Sequence, residues 1–453
     1  MYKESVDVLY IHPTQKPNNT LYGIMPMGVI GLINELHKCD ILIKGYNMAI
    51  EKYIDEKISA EDILKNMKYK ILLVDLHWYE HSYNTIQIAL ISKRLNPDIP
   101  VIIGGYTSTI FADEIMKKYN CVDYIICGDS EVPIVKLVKC LLMGDKQELK
   151  NIPNIWYRDS GKIYSSKYKW VASSIDDIDF VDYDWIENSK FVPYITTEGV
   201  KKIVPSYWLC IARGCKYDCS YCCGGNHNME KLFHRCNILL RKPEVIANDI
   251  LKLTKKNICH ICFSHDPQMF GFDFYKKLFY CIRQLKIKPG MYLECFQLPT
   301  KGFIDEILLT FDVENIILVI SPISGNEFVR KKNGKLFSNS SFIDILQYIK
   351  KNRIRLQLYY TQNLYKETKD EFWDTYNQIK YIHDELGLSK RCFFYQPIVI
   401  DPLAGMREYE NIKVFYHTFE DYYRYCASNL PNYGWCDEGE LSLEEKESYF
   451  KRI

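Results

Sequence analysis

The 453-residue sequence is short of several things, and each shortage excludes a class of protein. It has no charge excess: 58 Lys+Arg face 57 Asp+Glu, a formal net charge of +1, so no global field draws it to nucleic acid. It has no apolar run near the roughly 18 residues that span a bilayer, and no membrane partner is expected. It has no low-complexity tract and no convincing internal repeat. With 47% hydrophobic and 25% charged residues it is a folded globular chain, not a disordered, coiled-coil or collagen-like one. Residues Met1 to His12 lack the basic region and long apolar stretch of a secretory leader and read as a strand. Two things are plentiful instead: aromatics at 14%, with 36 Tyr, and 17 cysteines. An odd number of cysteines in a long chain is unlike a short, evenly paired disulfide scaffold. The expectation is a cytoplasmic protein with reduced thiols, most of them small buried hydrophobes.

The length predicts about three domains. Residues 1–145 alternate apolar strands with amphipathic helices. Strand candidates are Val6–Ile11, Ile41–Ile43, Ile71–Val74, Val101–Ile103 and Tyr124–Ile126; helices are expected over Pro26–Cys39, Thr85–Leu95 and Ile110–Tyr119. This order predicts a doubly wound, Rossmann-like parallel sheet, whose ligands lie beyond the carboxyl ends of the strands. Residues 146–200, with Pro153, Gly161, Pro193 and the acids Asp176, Asp177, Asp179, Asp182 and Asp184, read as a linker whose acids are solvated. A second strand series follows: Ile203–Ile211, Ile258–Phe263, Met291–Phe296, Ile316–Ile320, Ile354–Tyr360 and Cys392–Ile398. Six units fall short of the eight of a closed barrel and predict a partial (β/α)6 barrel over 201–405. Residues 406–453, Tyr-rich and acidic, read as a helical C-terminal cap.

Arg213-Gly-Cys215-Lys-Tyr-Asp-Cys219-Ser-Tyr-Cys222-Cys223-Gly-Gly225 follows the first strand of the second series. Three soft, anionic thiolates on one loop can ligate three irons of a [4Fe-4S] cluster and leave the fourth iron open. Zinc is the competing reading, with Cys223, His227 or His234 as fourth ligand; a purely structural loop is the third. Cys259 and Cys262 lie three apart on a strand, face opposite sides and read as packing. Cys392, Cys426 and Cys436 are too scattered for a second cluster.

Cys215-x3-Cys219-x2-Cys222 resembles the signature of the radical S-adenosylmethionine (SAM) superfamily. Tyr221 fits the aromatic that packs under adenine in that family. Phe263-Ser-His-Asp266, Ile320-Ser-Pro-Ile-Ser-Gly325, Asn363-Leu-Tyr-Lys-Glu-Thr368 and Asp401-Pro-Leu-Ala-Gly405 are similar to its downstream strand-end turns, with Ile323 where an acid is usual. The resemblance implies SAM on the open iron and a 5′-deoxyadenosyl radical after one-electron reduction by flavodoxin or ferredoxin. It also implies close backbone approach at Gly224 and Gly225, with Ser324 and Arg330 as candidates for the SAM carboxylate. For Arg330, surface charge beside Lys331 and Lys332 is the equal alternative.

In the first 145 residues, Met25-Pro-Met-Gly28, Gly104-Gly105-Tyr-Thr107-Ser108 and Gly128-Asp-Ser-Glu131 resemble, in order, the cobalamin-binding domain that precedes many radical SAM domains. The resemblance implies that Gly104, Gly105 and Gly128 let the corrinoid tail pass, that Thr107 and Ser108 hydrogen-bond it, and that Glu131 closes the site or caps a helix. Asp75-Leu-His77-Trp78-Tyr-Glu80 is close to the Asp-x-His-x-x-Gly motif of histidine-ligated cobalamin proteins, with Glu80 for glycine. His77 and Trp78 either cover the corrinoid's lower face or are ordinary loop residues, and His12 carries the same ambiguity. The family thus implies a cobalamin-dependent radical SAM methyltransferase acting on an unactivated carbon of a small-molecule or peptide substrate. A non-methylating cyclase, oxidase or rearrangement enzyme with the same cofactors is the alternative, and a non-enzymatic corrinoid or zinc sensor the third reading.

Overall fold

The computed structural model describes residues 5–14, 23–196, 199–362, 364–398, 401–409, 412–428, 435–437 and 442–451. They divide into two compact units. The first comprises Met1–Pro205 with Glu230–Arg235 and Tyr416–Pro431; the second comprises Ser206–Met229, Cys236–Phe415 and Asn432–Ile453.

The first unit is built on β1 (Ser5–His12), β2 (Ile43–Asn47), β3 (Lys68–Asp75), β4 (Val101–Gly104), β5 (Tyr124–Ile126), β6 (Ile155–Asp159) and β7 (Lys162–Ser165). Their order is β2-β1-β3-β4-β5-β6-β7, parallel through β5 and antiparallel beyond it. Strands β1, β3, β4 and β5 are near-continuous Val, Ile and Leu because helices cover both faces. The chain order reverses between β1 and β3, the switch point where such sheets open a ligand crevice. The expected helix over Ile110–Tyr119 is instead two short helices, Tyr106–Ile110 and Ala112–Lys118, broken at Phe111.

Residues 146–200, read as a linker, are largely part of this unit. The β6–β7 hairpin extends the sheet. Downstream, Ile178, Phe180, Val181 and Tyr183 are buried. Ile178 and Phe180 lie so close to Gly31 that a Cβ there would come within 2.6 Å. Asp177, Asp182 and Asp184 face solvent between these apolar residues. The reading failed because alternation of acids with buried apolar residues is a packing signal, and the acids hid it.

The second unit is a six-stranded, all-parallel sheet in chain order: β8 (Ser206–Leu209), β9 (His260–Phe263), β10 (Gly290–Cys295), β11 (Ile316–Ile323), β12 (Arg355–Gln362) and β13 (Phe393–Pro397). Because every crossover moves one strand onward with the same right-handed sense, all crossover helices fall on one face. Phe263 meets Phe279 of the helix Phe272–Gln284 through Phe311, and the Tyr360 hydroxyl donates to Gln378 of the helix Lys369–Asp384. Those residues mark the covered face. The opposite face is the concave side of a partial barrel. Beyond β13, the expected helical cap contains a short antiparallel pairing, Ile412–Val414 with Trp435–Asp437, and the helices Phe419–Ala427 and Leu443–Phe450.

Candidate functional site

The cysteine loop leaves the carboxyl end of β8 and runs into the helix Asn226–Phe233. Cys215, Cys219 and Cys222 are half-buried. The loop is wound tightly. Cys222 N donates to Cys219 O at 3.1 Å and Asn226 N to Tyr217 O at 3.1 Å. Two amides point at sulfur: Tyr217 N to Cys215 Sγ at 3.5 Å and Gly224 N to Cys222 Sγ at 3.2 Å, contacts that favour thiolate. Burial pushes the Cys222 thiol up to about 12, and Asp401 adds to that.

A tetrahedral zinc would need a fourth ligand beside the three cysteines. Ligands of one tetrahedral zinc lie about 4 Å apart, given Zn–S bonds of roughly 2.3 Å. Among the described residues, the one His/Cys/Asp/Glu group whose ligand atoms gather within 4.8 Å is His12, Asp75 and His81, far in sequence from this loop. Neither His227 nor His234 forms such a group with Cys215, Cys219 and Cys222.

Residues outside the loop shape it. A Cβ at Gly334 would lie 2.8 Å from Cys219 Cα and 3.0 Å from its Sγ, and Gly334 has φ +96°, so no side chain fits there. Next to it, buried Lys335 donates to Phe296 O at 2.8 Å, and the thiols of Cys219 and Cys222 favour its charge while burial opposes it. Asp266 is held by the amides of Gln268 and Phe296 at 2.9 and 3.1 Å, yet burial lifts it to about 6. Ser220 bonds Asn333 at 2.5 Å, and Asn333 in turn donates to Tyr365 O. Gly334, Lys335 and Asn333 follow the helix Glu327–Lys332. Nothing in the local sequence marks them, because each acts on a loop more than 100 residues away.

Tyr221 packs on Ile323, Val329 and Leu364 and on Ala404 and Met406. Gly225 is required: its Cβ would come 2.7 Å from Asp218 Oδ1. At Gly224 the nearest atom is 3.6 Å away, so that stretch of backbone is open. Cys223 turns to Asp401, whose carboxylate its amide reaches at 3.4 Å. Burial and that carboxylate raise its thiol well above the ordinary range.

Ser324 and Arg330 do not present donors to a ligand. Both are wholly buried. The Arg330 guanidinium donates to Ser324 O at 3.0 and 2.8 Å, to Phe337 O at 3.0 Å and to Asn339, and it lies over the rings of Phe337 and Phe342. The Ser324 hydroxyl is taken by Thr375 and by Asn326 N. Neither the carboxylate role nor surface charge describes Arg330: it pins the turn after β11. Within that turn Ile323 has φ +59°, a strained conformation for a β-branched residue. Of the Asn363–Thr368 loop, Asn363 lies outside the described residues.

At the carboxyl edge of the first unit's sheet, Gly105 has φ +125°, and a Cβ would lie 2.7 Å from the backbone of Leu76 and His77. Gly104, by contrast, has no atom nearer than 3.6 Å to its Cβ position. Thr107 and Ser108 are buried and turn inward. Thr107 Oγ1 donates to His77 O at 2.9 Å and Ser108 Oγ to Gly105 O at 3.1 Å. They clamp the Gly105 and His77 loops together and are not poised to hold a tail. Thr109, which sequence reading missed, links Gly105 O (2.7 Å) to Gly128 N (3.0 Å). Glu131 is buried in the first turn of the helix Glu131–Met143, where its charge suits the helix N-terminus. The neighbouring Asp129 pairs with Arg235, a buried ion pair that no local pattern announces.

His77 and Trp78 stay half-exposed, with Trp78 4.8 Å and Tyr106 6.2 Å from the His77 ring. Burial lowers His77 to about 4, so it is neutral at pH 7. Beneath them, His12 Nδ1 donates to Asp75 Oδ1 (2.9 Å), Tyr10 donates to the same oxygen (2.7 Å), and His81 stands 4.9 Å from the His12 ring. Burial opposes the Asp75 charge, but His12, His81 and Tyr10 outweigh it and hold the carboxyl at about 2. His12 and His81 are wholly buried and line no open surface. No helix among the described residues is long and apolar enough to cross a membrane.

No family model matches the chain. The uncharacterized methyltransferase PH0819 of Pyrococcus horikoshii is 26% identical over 192 residues, 40% of this chain and 39% of that protein. The anaerobic magnesium-protoporphyrin IX monomethyl ester cyclase of Rubrivivax gelatinosus is 27% identical over 177 residues, 38% of this chain and 28% of that protein. The matches thus span less than half the length of these curated relatives. Among solved structures, the radical S-adenosylmethionine methyltransferase TsrM of Kitasatospora setae, with cobalamin and a [4Fe-4S] cluster bound, is similar with a TM-score of 0.68 at 12% identity, over 98% of this chain and 87% of that one. Its complex with tryptophan substrate and a SAM analogue gives 0.65 at 12% identity, over 88% and 74%. A parallel sheet opening at its β1/β3 switch point, then six parallel strands in chain order with a cysteine loop after the first, are the two halves of that architecture: the chain has the fold of the cobalamin-binding radical SAM enzymes.

Proposed function

We propose that the protein is a cobalamin-dependent radical SAM methyltransferase that methylates an unactivated carbon of a small molecule or peptide. The observation that carries this reading is the Cys215-x3-Cys219-x2-Cys222 loop at the carboxyl end of β8. The residues fit the implied groups. Cys215, Cys219 and Cys222 would hold a [4Fe-4S] cluster, Gly334 leaves room for Cys219, and Lys335 offsets the thiolate charge. The open backbone at Gly224 and the wall formed by Tyr221 suit SAM. In the first unit, the open backbone at Gly104 and the half-exposed His77 and Trp78 suit a corrinoid at the switch point. When bound, cluster and SAM supply a carbon-centred hydrogen abstractor, and the corrinoid supplies a methyl group. A neutral His77 covers a face without adding charge.

Anaerobic reconstitution tests this. Expected are about four irons per chain, bound cobalamin, and, with labelled SAM and flavodoxin, ferredoxin or dithionite as donor, both 5′-deoxyadenosine and S-adenosylhomocysteine. One zinc per chain and no iron sinks the cofactor reading. Deoxyadenosine with no methylated product sinks methyl transfer alone, and the likeness to a cyclase then favours the non-methylating reading.

A further inference from the structure

The concave face of the second unit's sheet carries an unusual set of side chains. In-register pairing puts Trp208, Cys262 and Tyr292 in one layer, Glu294, Val319 and Gln357 in the next, and Tyr359 beside Phe394 above them. These residues alternate with Ile261, Leu293, Leu318 and Leu358, which are fully buried under the helices. The ring contacts agree with this assignment. Trp208 meets Tyr292 edge-on at 5.5 Å across the intervening strand, and Tyr359 stacks on Phe394 at 4.7 Å. Trp208, Tyr292, Gln357, Tyr359 and Phe394, from the two edge strands and two inner ones, are all half-exposed, so side chains do not close this face.

One acid stands in this aromatic lumen. Glu294 lies one residue before the carboxyl end of β10 and is exposed on this face. Its Oε1 accepts from the Tyr292 hydroxyl at 3.1 Å. Among the described residues no Lys, Arg or His comes within ion-pair distance of it. Lys335 is near enough to favour its charge, but its ammonium is spent on Phe296 O; Arg355 shares the face one layer below and makes no pair with it. Burial raises the Glu294 carboxyl, and Glu294 in turn raises Tyr292 and Tyr359, so these groups share one space. A carboxylate on this open face, with no cation among the described residues paired to it, is available to a cationic ligand. Ring faces around it stabilise the same charge.

We propose that the lumen binds an organic cation, an amine with an apolar or aromatic body, with its ammonium on Glu294 and its body against Trp208, Tyr292, Tyr359 and Phe394. This rests on the proposed radical SAM reading for its meaning as a substrate site. The test separates the two. Anaerobically reconstituted full-length protein is titrated calorimetrically with tryptamine, indole and indole-3-propionate, one ring system as cation, neutral and anion. The expectation is that tryptamine binds at least about tenfold more tightly than either of the others. Glu294→Gln brings it within about twofold of indole, and Glu294→Asp retains part of the preference. Equal or weaker binding of tryptamine, its failure to bind, or a preference that survives Glu294→Gln in protein of unchanged circular dichroism overturns the proposal. Iron content and SAM cleavage are read on the same samples. Normal values without cation preference sink this inference alone; cation preference without iron sinks the cofactor reading alone.

Discussion

The two parallel sheets each place their chemistry at the carboxyl edge, but they assemble it in opposite ways. The edge of the second unit is dominated by one loop, in which eight consecutive residues hold three thiols. The edge of the first unit draws His12 from β1, Asp75 from β3 and His81 from the turn beyond, with Thr107 holding His77 O and Thr109 holding Gly105 and Gly128. A local ligand set survives whatever the rest of the fold does, so it leaves a mark in the sequence. A dispersed one exists only after the sheet has formed.

That contrast can be broken experimentally, and the largest effect is expected at the local site. Cys219→Ala should abolish cluster loading and SAM cleavage while leaving cobalamin binding within about twofold, measured by iron assay and corrinoid absorbance. Loss of both cofactors together would show that the two edges are not independent. Next comes the dispersed site. Asp75→Asn keeps an acceptor but removes the negative charge that His12, His81 and Tyr10 stabilise, and should cost about 3 kcal/mol in urea unfolding. The Asp75 carboxyl is depressed to about 2 from 3.8, so its contribution is full above pH 4 and is lost as pH falls toward 2. The variant should flatten that acid limb, and an unchanged limb would refute the network.

Two smaller effects sharpen the comparison. Gly334→Ala forces a Cβ onto Cys219 at a positive φ, and should lower iron loading severalfold with a stability cost of about 1–3 kcal/mol. Full loading would mean the loop yields more easily than its packing implies. Smallest of all, Ser324→Ala should leave SAM affinity within about twofold, because that hydroxyl is spent inside its own turn. A tenfold loss by equilibrium dialysis would restore Ser324 to the SAM site.

The same contrast explains what could be read from residues alone. All six barrel strands lie within a few residues of their expected positions, because buried parallel strands are short apolar runs between polar breaks. The cysteine triad was legible for the same local reason. Arg330 was misread in both senses, since a charged residue beside two lysines gives no hint that its five donors find carbonyls inside a turn. Thr107 and Ser108 were assigned outward because hydroxyls after a Gly-Gly turn suggest a ligand, whereas the tight approach at Gly105 turns them inward. Glu294 drew no attention: an acid in an apolar strand looks like alternation until the sheet shows which face it is on.

The first unit takes part of its core from far along the chain. Phe419 lies 6.0 Å from Phe111 and 5.7 Å from Tyr119, Tyr422 lies 5.1 Å from Tyr79, and the Cys426 thiol reaches Tyr79 O at 3.1 Å. During synthesis, then, the sheet that emerges first waits through the whole barrel for the aromatic helix that completes it. A nascent or truncated chain ending before Phe419 carries an uncovered face of Tyr79, Phe111 and Tyr119, a surface open to chaperones and to aggregation.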